Sequence, residues 1–82
     1  MEHDAIGAAV AKIIREVLDD PDFAVTPETS AKDHPEWDSF NHINMIVAAE
    51  IHFGIKFTAA EVDAVGNVGE FTALIARKRE AA

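Results

Sequence analysis

All three prolines of this 82-residue chain fall in one segment, DDPDFAVTPETSAKDHPEW at residues 19–37, while elsewhere the apolar residues recur at helical spacing. Proline removes an N–H donor and drives the residue before it out of the helical region, so the segment reads as a long loop between two helices. Phe23 and Val25 are its apolar anchors to a core. A loop of that length in so short a chain suggests function, with the joining of distant helix ends as the plainer alternative.

Before the loop, Ile6, Val10, Ile13, Ile14, Val17 and Leu18 make an apolar stripe with Lys12, Arg15 and Glu16 outside it, which predicts a first helix over Asp4–Leu18. After it, Asp38 is a good N-cap for SFNHINMIVAAEIHF, and Gly54 supplies a stop, giving a second helix over 39–53. Beyond the GIKF connection, Thr58 and Glu61 form a capping box that opens a brief third helix, with Gly66 to close it. Asn67 and Glu70 repeat the pattern for a last helix that turns Val68, Phe71, Leu74 and Ile75 inward. That helix ends in Arg77, Lys78 and Arg79, where positive charge suits a helix C-terminus. No strand alternation appears. The expectation is an all-α chain, residues 1–82 forming a single domain of four helices with a long loop between helices 1 and 2 and a short third helix.

Charge and composition remove several function classes. Seven basic against 15 acidic residues leave a net charge of −8, which repels nucleic acid and anionic membranes and attracts basic protein surfaces. A helix-turn-helix DNA binder is therefore disfavoured. No apolar run approaches the roughly 18 residues of a membrane span, and the beginning MEHDAIGAAVAKIIRE is unlike a signal peptide, so the expected location is cytoplasmic. Without cysteine the chain has no disulfide, no thiolate metal site and no thiol of its own. Any thioester chemistry needs an added prosthetic thiol.

The segment Trp37-Asp38-Ser39-Phe40 puts a hydroxyl on the first residue of a helix, where unpaired N–H groups and the positive dipole end favour an attached phosphodiester. The plainer reading is that Asp38 and Ser39 only cap the helix. Trp37 either packs the end of the loop onto the helix or lines the path of whatever Ser39 carries. His3, His34, His42 and His52 include no pair at the i, i+4 spacing of a helical metal site, so no metal is expected. A Ser39–His42 nucleophile pair lacks a glycine-flanked elbow and an oxyanion site, and an enzyme is not expected.

Residues 36–75 resemble the acyl carrier protein family, whose attachment motif Asp-Ser-Leu opens its second helix and here reads Asp38-Ser39-Phe40. The resemblance continues through Ile43, Met45, Ile46, Ala48, Glu50 and Phe53, then Thr58, Glu61, Val65, Val68, Phe71 and Ile75 at matching separations. It implies an acyl-carrier-like four-helix bundle, with 4′-phosphopantetheine attached to Ser39 by a phosphopantetheinyl transferase and Asp38 helping to position that enzyme. It also implies a monomer that presents a thioester-bound acyl group to acyl-transferring or acyl-activating enzymes. Phe40, Ile43, Val47 and Ile51 form one stripe of the second helix, and Met45, Ile46, Ala49 and Phe53 another. The expectation is that the second is buried, while the first, with Glu50, is a partner-docking patch beside Ser39. For Val47 and Ile51, burial between neighbouring helices is an equal alternative.

Departures from the family pattern narrow the reading. Pro35, Glu36 and Trp37 stand where peptidyl carriers tend to have paired glycines, and Asn41 and Asn44 where carriers of primary fatty-acid synthesis resemble one another in being acidic. A specialised route follows, such as polyketide, surface polysaccharide or other secondary acylation. The alternatives are fatty-acid synthesis, an aminoacyl or peptidyl carrier, or an unmodified helical interaction module.

Overall fold

The computed structural model describes residues 2–81, with side chains from residue 5 to residue 80. Its elements are α1 (Glu2–Val17), a single 3₁₀ turn at Ala31–Asp33, α2 (Ser39–Phe53), α3 (Ala59–Ala64) and α4 (Val68–Ala81), with no strand among the described residues. None of the helices is long and apolar enough to cross a membrane. The all-α expectation of four helices with a short third one holds.

The stripe read from the first helix forms the centre of the core. Ile6, Val10, Ile13, Ile14 and Leu18 are buried together with Met45, Ile46 and Ala49 of α2 and Val68, Phe71, Ile75 and Ala76 of α4. α1 packs along α4 and against α2. α3 buries no residue fully and only leans Val62 onto the core, with Val65 just beyond its end.

α1 ends one residue earlier than its apolar period suggests. The chain turns at Asp19, which adopts the left-handed conformation at φ 53°, and the Asp20 N–H donates to the Arg15 carbonyl at 3.0 Å. This is a helix stop that usually carries glycine, and aspartate tolerates it better than most residues.

The loop that follows is gripped at several points rather than slack. The Arg15 Nε donates to the Phe23 carbonyl at 2.8 Å, and Phe23 and Val25 pack half-buried on the core as expected. The Val68 and Gly69 N–H groups at the start of α4 donate to the carbonyls of Thr29 (2.9 Å) and Pro27 (2.8 Å). A Cβ at Gly69 would stand 3.1 Å from the Pro27 oxygen, so any larger residue would have to push the loop back by a few tenths of an ångström. His34 fastens the loop's far end: its Nδ1 accepts from the Glu36 N–H, and its Nε2 donates to Asp20 at 3.0 Å.

α2 runs over the residues its caps predict. Gly54 is left-handed at φ 67°, and the Gly54 and Ile55 N–H groups converge on the Glu50 carbonyl. The Thr58–Glu61 capping box is present. Two details differ from expectation. Val65, not Gly66, terminates α3, and the Glu70 carboxylate accepts from the Gly66 N–H while Asn67 caps Glu70, so the α4 box is not reciprocal. Lys78 reaches from α4 to Glu61 at 2.8 Å. Its hydrogen bond, followed by that from the Thr58 N–H, holds the Glu61 carboxyl below its ordinary value. The exposed tie is therefore complete above the ordinary carboxylate range and is lost as pH falls through the lowered value.

Replacing Asp19 by glycine removes the steric cost of the left-handed turn. Asp19→Gly is expected to stabilise the fold by about 0.5–1 kcal/mol in denaturant titration; a destabilised variant would show that the Asp19 side chain contributes more than its backbone strain costs.

Candidate functional site

Asp38 adopts an extended conformation and its Oδ1 accepts from the Asn41 N–H at 2.9 Å, so the cap that opens α2 is made by Asp38. The Asn41 side chain in turn donates to the Glu36 carbonyl at 2.6 Å, tying the incoming loop to the first turn. Ser39 follows as the first helical residue, exposed and relieved of the capping role. No acidic residue stands in the first turn of α2, so the dipole end beside Ser39 is not neutralised from within the helix.

The two apolar stripes of α2 separate as expected. Met45, Ile46 and Ala49 are buried and Phe53 is half-buried. Phe40, Ile43, Val47 and Ile51 are 74%, 53%, 46% and 78% exposed, which removes the alternative that Val47 and Ile51 are clamped between neighbouring helices. Four large apolar side chains bare to water along one helix, starting next to Ser39, are the kind of patch that marks an interaction surface.

Glu50 also has a task inside the fold. Its Oε2 accepts from the Phe57 N–H at 2.9 Å, pinning the connection that follows Gly54. Sequence spacing groups it with the patch, and only the fold of that connection shows what its carboxylate holds.

Trp37 is half-buried and packs against the core, the first of its two expected roles. Its indole Nε1 donates to the His42 Nδ1 at 3.2 Å. That bond engages one of the two imidazole nitrogens with the loop rather than with Ser39. His34 is bound to Asp20, His52 stands edge-on against Phe53, and the His3 side chain lies outside the described residues. Among the described residues, no group of three His, Cys, Asp or Glu side chains is placed to hold a metal.

Two features escape sequence reading because they join distant segments. An open groove beside Asp38 and Ser39 is walled by Trp37, His42, Val62 and Val65. Behind it lies an apolar cavity of about 60 Å³ among α1, α2 and α4, lined by Ile14, Met45, Ile46, Val68 and Phe71. The only hint in the sequence is an aromatic residue and a histidine five positions apart across the start of a helix.

No family model matches the chain. An acyl carrier protein of Acidothermus cellulolyticus is 34% identical over 76 residues, covering 93% of this chain and 90% of that protein. The solution structure of a holo acyl carrier protein from Geobacter metallireducens matches with a TM-score of 0.85 at 40% identity, covering 92% of this chain and 86% of that one. Near-full-length identity to the first and agreement of fold with the second make this chain a member of the acyl carrier protein family, a carrier rather than an enzyme.

Proposed function

We infer that Ser39 is the attachment point for 4′-phosphopantetheine and that the chain presents an acyl group, held as a thioester on that arm, to partner enzymes. The observation that carries this reading is the setting of Ser39: an exposed hydroxyl on the first residue of α2, with the cap made by its neighbour and a bare apolar strip beginning one residue later. The residues fit the group. The first-turn N–H groups and the dipole end favour a phosphodiester, and the open groove leaves room for the arm to leave the surface. When bound, the arm supplies the thiol that a chain without cysteine lacks.

What the chain's own residues contribute is presentation. Asp38 and Asn41 fix the start of α2 and so the position of Ser39 on the surface. Phe40, Ile43, Val47 and Ile51 form the docking face for the phosphopantetheinyl transferase and for acyl-transferring or acyl-activating enzymes, and tethering raises the effective concentration of the acyl group at each of their sites. The chain works as a single-domain cytoplasmic monomer.

The docking helix favours a specialised acylation route over general fatty-acid synthesis. Asn41 and Asn44 are uncharged, so a partner meets an apolar face on which Glu50 is the one acid of the helix. Efficient exchange with enzymes of primary fatty-acid synthesis would overturn this.

Co-expression with a broad-specificity phosphopantetheinyl transferase is expected to add one arm by intact mass, and Ser39→Ala to abolish the addition. A wild type that stays unmodified would favour an unmodified helical interaction module. Val47→Asp is expected to leave stability within about 0.5 kcal/mol of wild type, since the residue lies outside the core. The same variant should lower the transferase kcat/KM roughly tenfold, equivalent to about 1.4 kcal/mol of lost docking; unfolding would return Val47 to the core, and unchanged kinetics would remove it from the docking face.

A further inference from the structure

His34 joins two corners of the loop that the sequence sets apart. Its side chain is 10% exposed, and its ring meets Phe23 edge-on with centroids 4.8 Å apart. Both ring nitrogens are engaged. The Glu36 N–H lies 3.1 Å from Nδ1, and a backbone amide can only donate, so Nδ1 carries no proton. The proton of the neutral imidazole therefore sits on Nε2, where the Asp20 carboxylate accepts it at 3.0 Å. The His34 carbonyl is used as well, by the Trp37 N–H at 3.1 Å.

From Glu36 the ties run on to Ser39. The Glu36 carbonyl accepts from the Asp38 N–H and from the Asn41 side chain, and the Asp38 carboxylate accepts from the Asn41 N–H to cap α2. At the other end Asp20 stands in the turn that stops α1, its N–H on the Arg15 carbonyl. One imidazole thus links the end of α1 to the residue from which the start of α2 hangs.

We propose that His34 is a proton-sensitive positioning residue for Ser39: neutral, it holds the loop in the form that presents the hydroxyl for modification, and protonated, it releases the end of the loop nearest that hydroxyl. This rests on the carrier reading of Ser39, because the modifying enzyme is the phosphopantetheinyl transferase. The two nitrogens respond differently. Protonated imidazole carries hydrogen on both, so Nδ1–H opposes the Glu36 N–H while Nε2–H still donates to Asp20. Glu36 is exposed and its N–H turns to water, whereas the ring stays against Phe23. The break therefore falls on the Ser39 side of His34.

The charged groups around this corner are Asp20 with Asp19 and Asp22 after α1, Lys32 and Asp33 in the 3₁₀ turn, and Glu36 itself. α1 adds Arg15, held on the Phe23 carbonyl, and α2 adds Asp38 at its cap. Asp33 and Asp38 are already committed to the Ser30 and Asn41 N–H groups.

Two substitutions separate the nitrogens. His34→Asn keeps an acceptor near the Nδ1 position, His34→Gln keeps a donor near the Nε2 position, and neither titrates. In the unmodified wild type, the Glu36 amide resonance is expected to move in one step as pH is lowered across the range in which histidines titrate, about pH 8 to 5. Its midpoint should match that of the His34 ring protons, a comparison that needs no variant. His34→Asn should remove the step. With the transferase and coenzyme A, the rate of arm addition to wild type, relative to His34→Asn at each pH, should fall at least about threefold between about pH 8 and pH 6. The ratio cancels the transferase's own pH dependence. His34→Gln should already be slow at about pH 8 and keep a constant ratio to His34→Asn. A Glu36 amide that ignores the His34 titration, or parallel profiles for wild type and His34→Asn, overturns the switch alone. A wild type that takes no arm at any pH sinks the carrier reading and the positioning role with it.

Discussion

Ile6, Val10 and Ile14 of α1 and Ile75 of α4 are the largest side chains that the fold takes wholly out of water, and each contributes on the order of 1.5–3 kcal/mol by its burial. The seam they form fixes α1 against α4. α4 in turn fixes the loop, because its first two N–H groups are satisfied by the Pro27 and Thr29 carbonyls rather than by water. The loop then fixes the start of α2 through His34, Glu36 and Asn41. The position of Ser39 at the surface is thus the end of a chain of contacts that begins in the core.

The parts legible in the sequence are those governed by near neighbours. Asp38, Gly54 and the Thr58–Glu61 pair each act within one turn of the chain, and the boundaries they imply are those observed. The split of α2 into a buried and a bare stripe was legible because the helix repeat separates them and one small core cannot take both. Asp19 was less legible, since left-handed backbone at an aspartate has no distinctive spacing. Glu50 and the Trp37–His42 bond were not legible at all: each depends on where a second segment arrives, and that is settled by packing.

A surface serine on a helix N-terminus could serve many ends, and its caps explain its geometry without any function. The carrier assignment comes instead from the combination of near-full-length relatedness with an exposed hydroxyl free of capping duty. Acids also stand close to that hydroxyl, Asp38 before it and Asp63 across the groove. The chain carries −8 overall, yet the first turn of α2 has no acid and its bare face is apolar.

The hydrogen bond from the Phe57 N–H to Glu50 bears on how relatives of this chain are compared. A carboxylate at that place along α2 holds the geometry of a corner between two helices, independently of any partner. The carboxylate keeps its charge while it does so, so an acid counted on the surface of this helix also has a duty inside the fold.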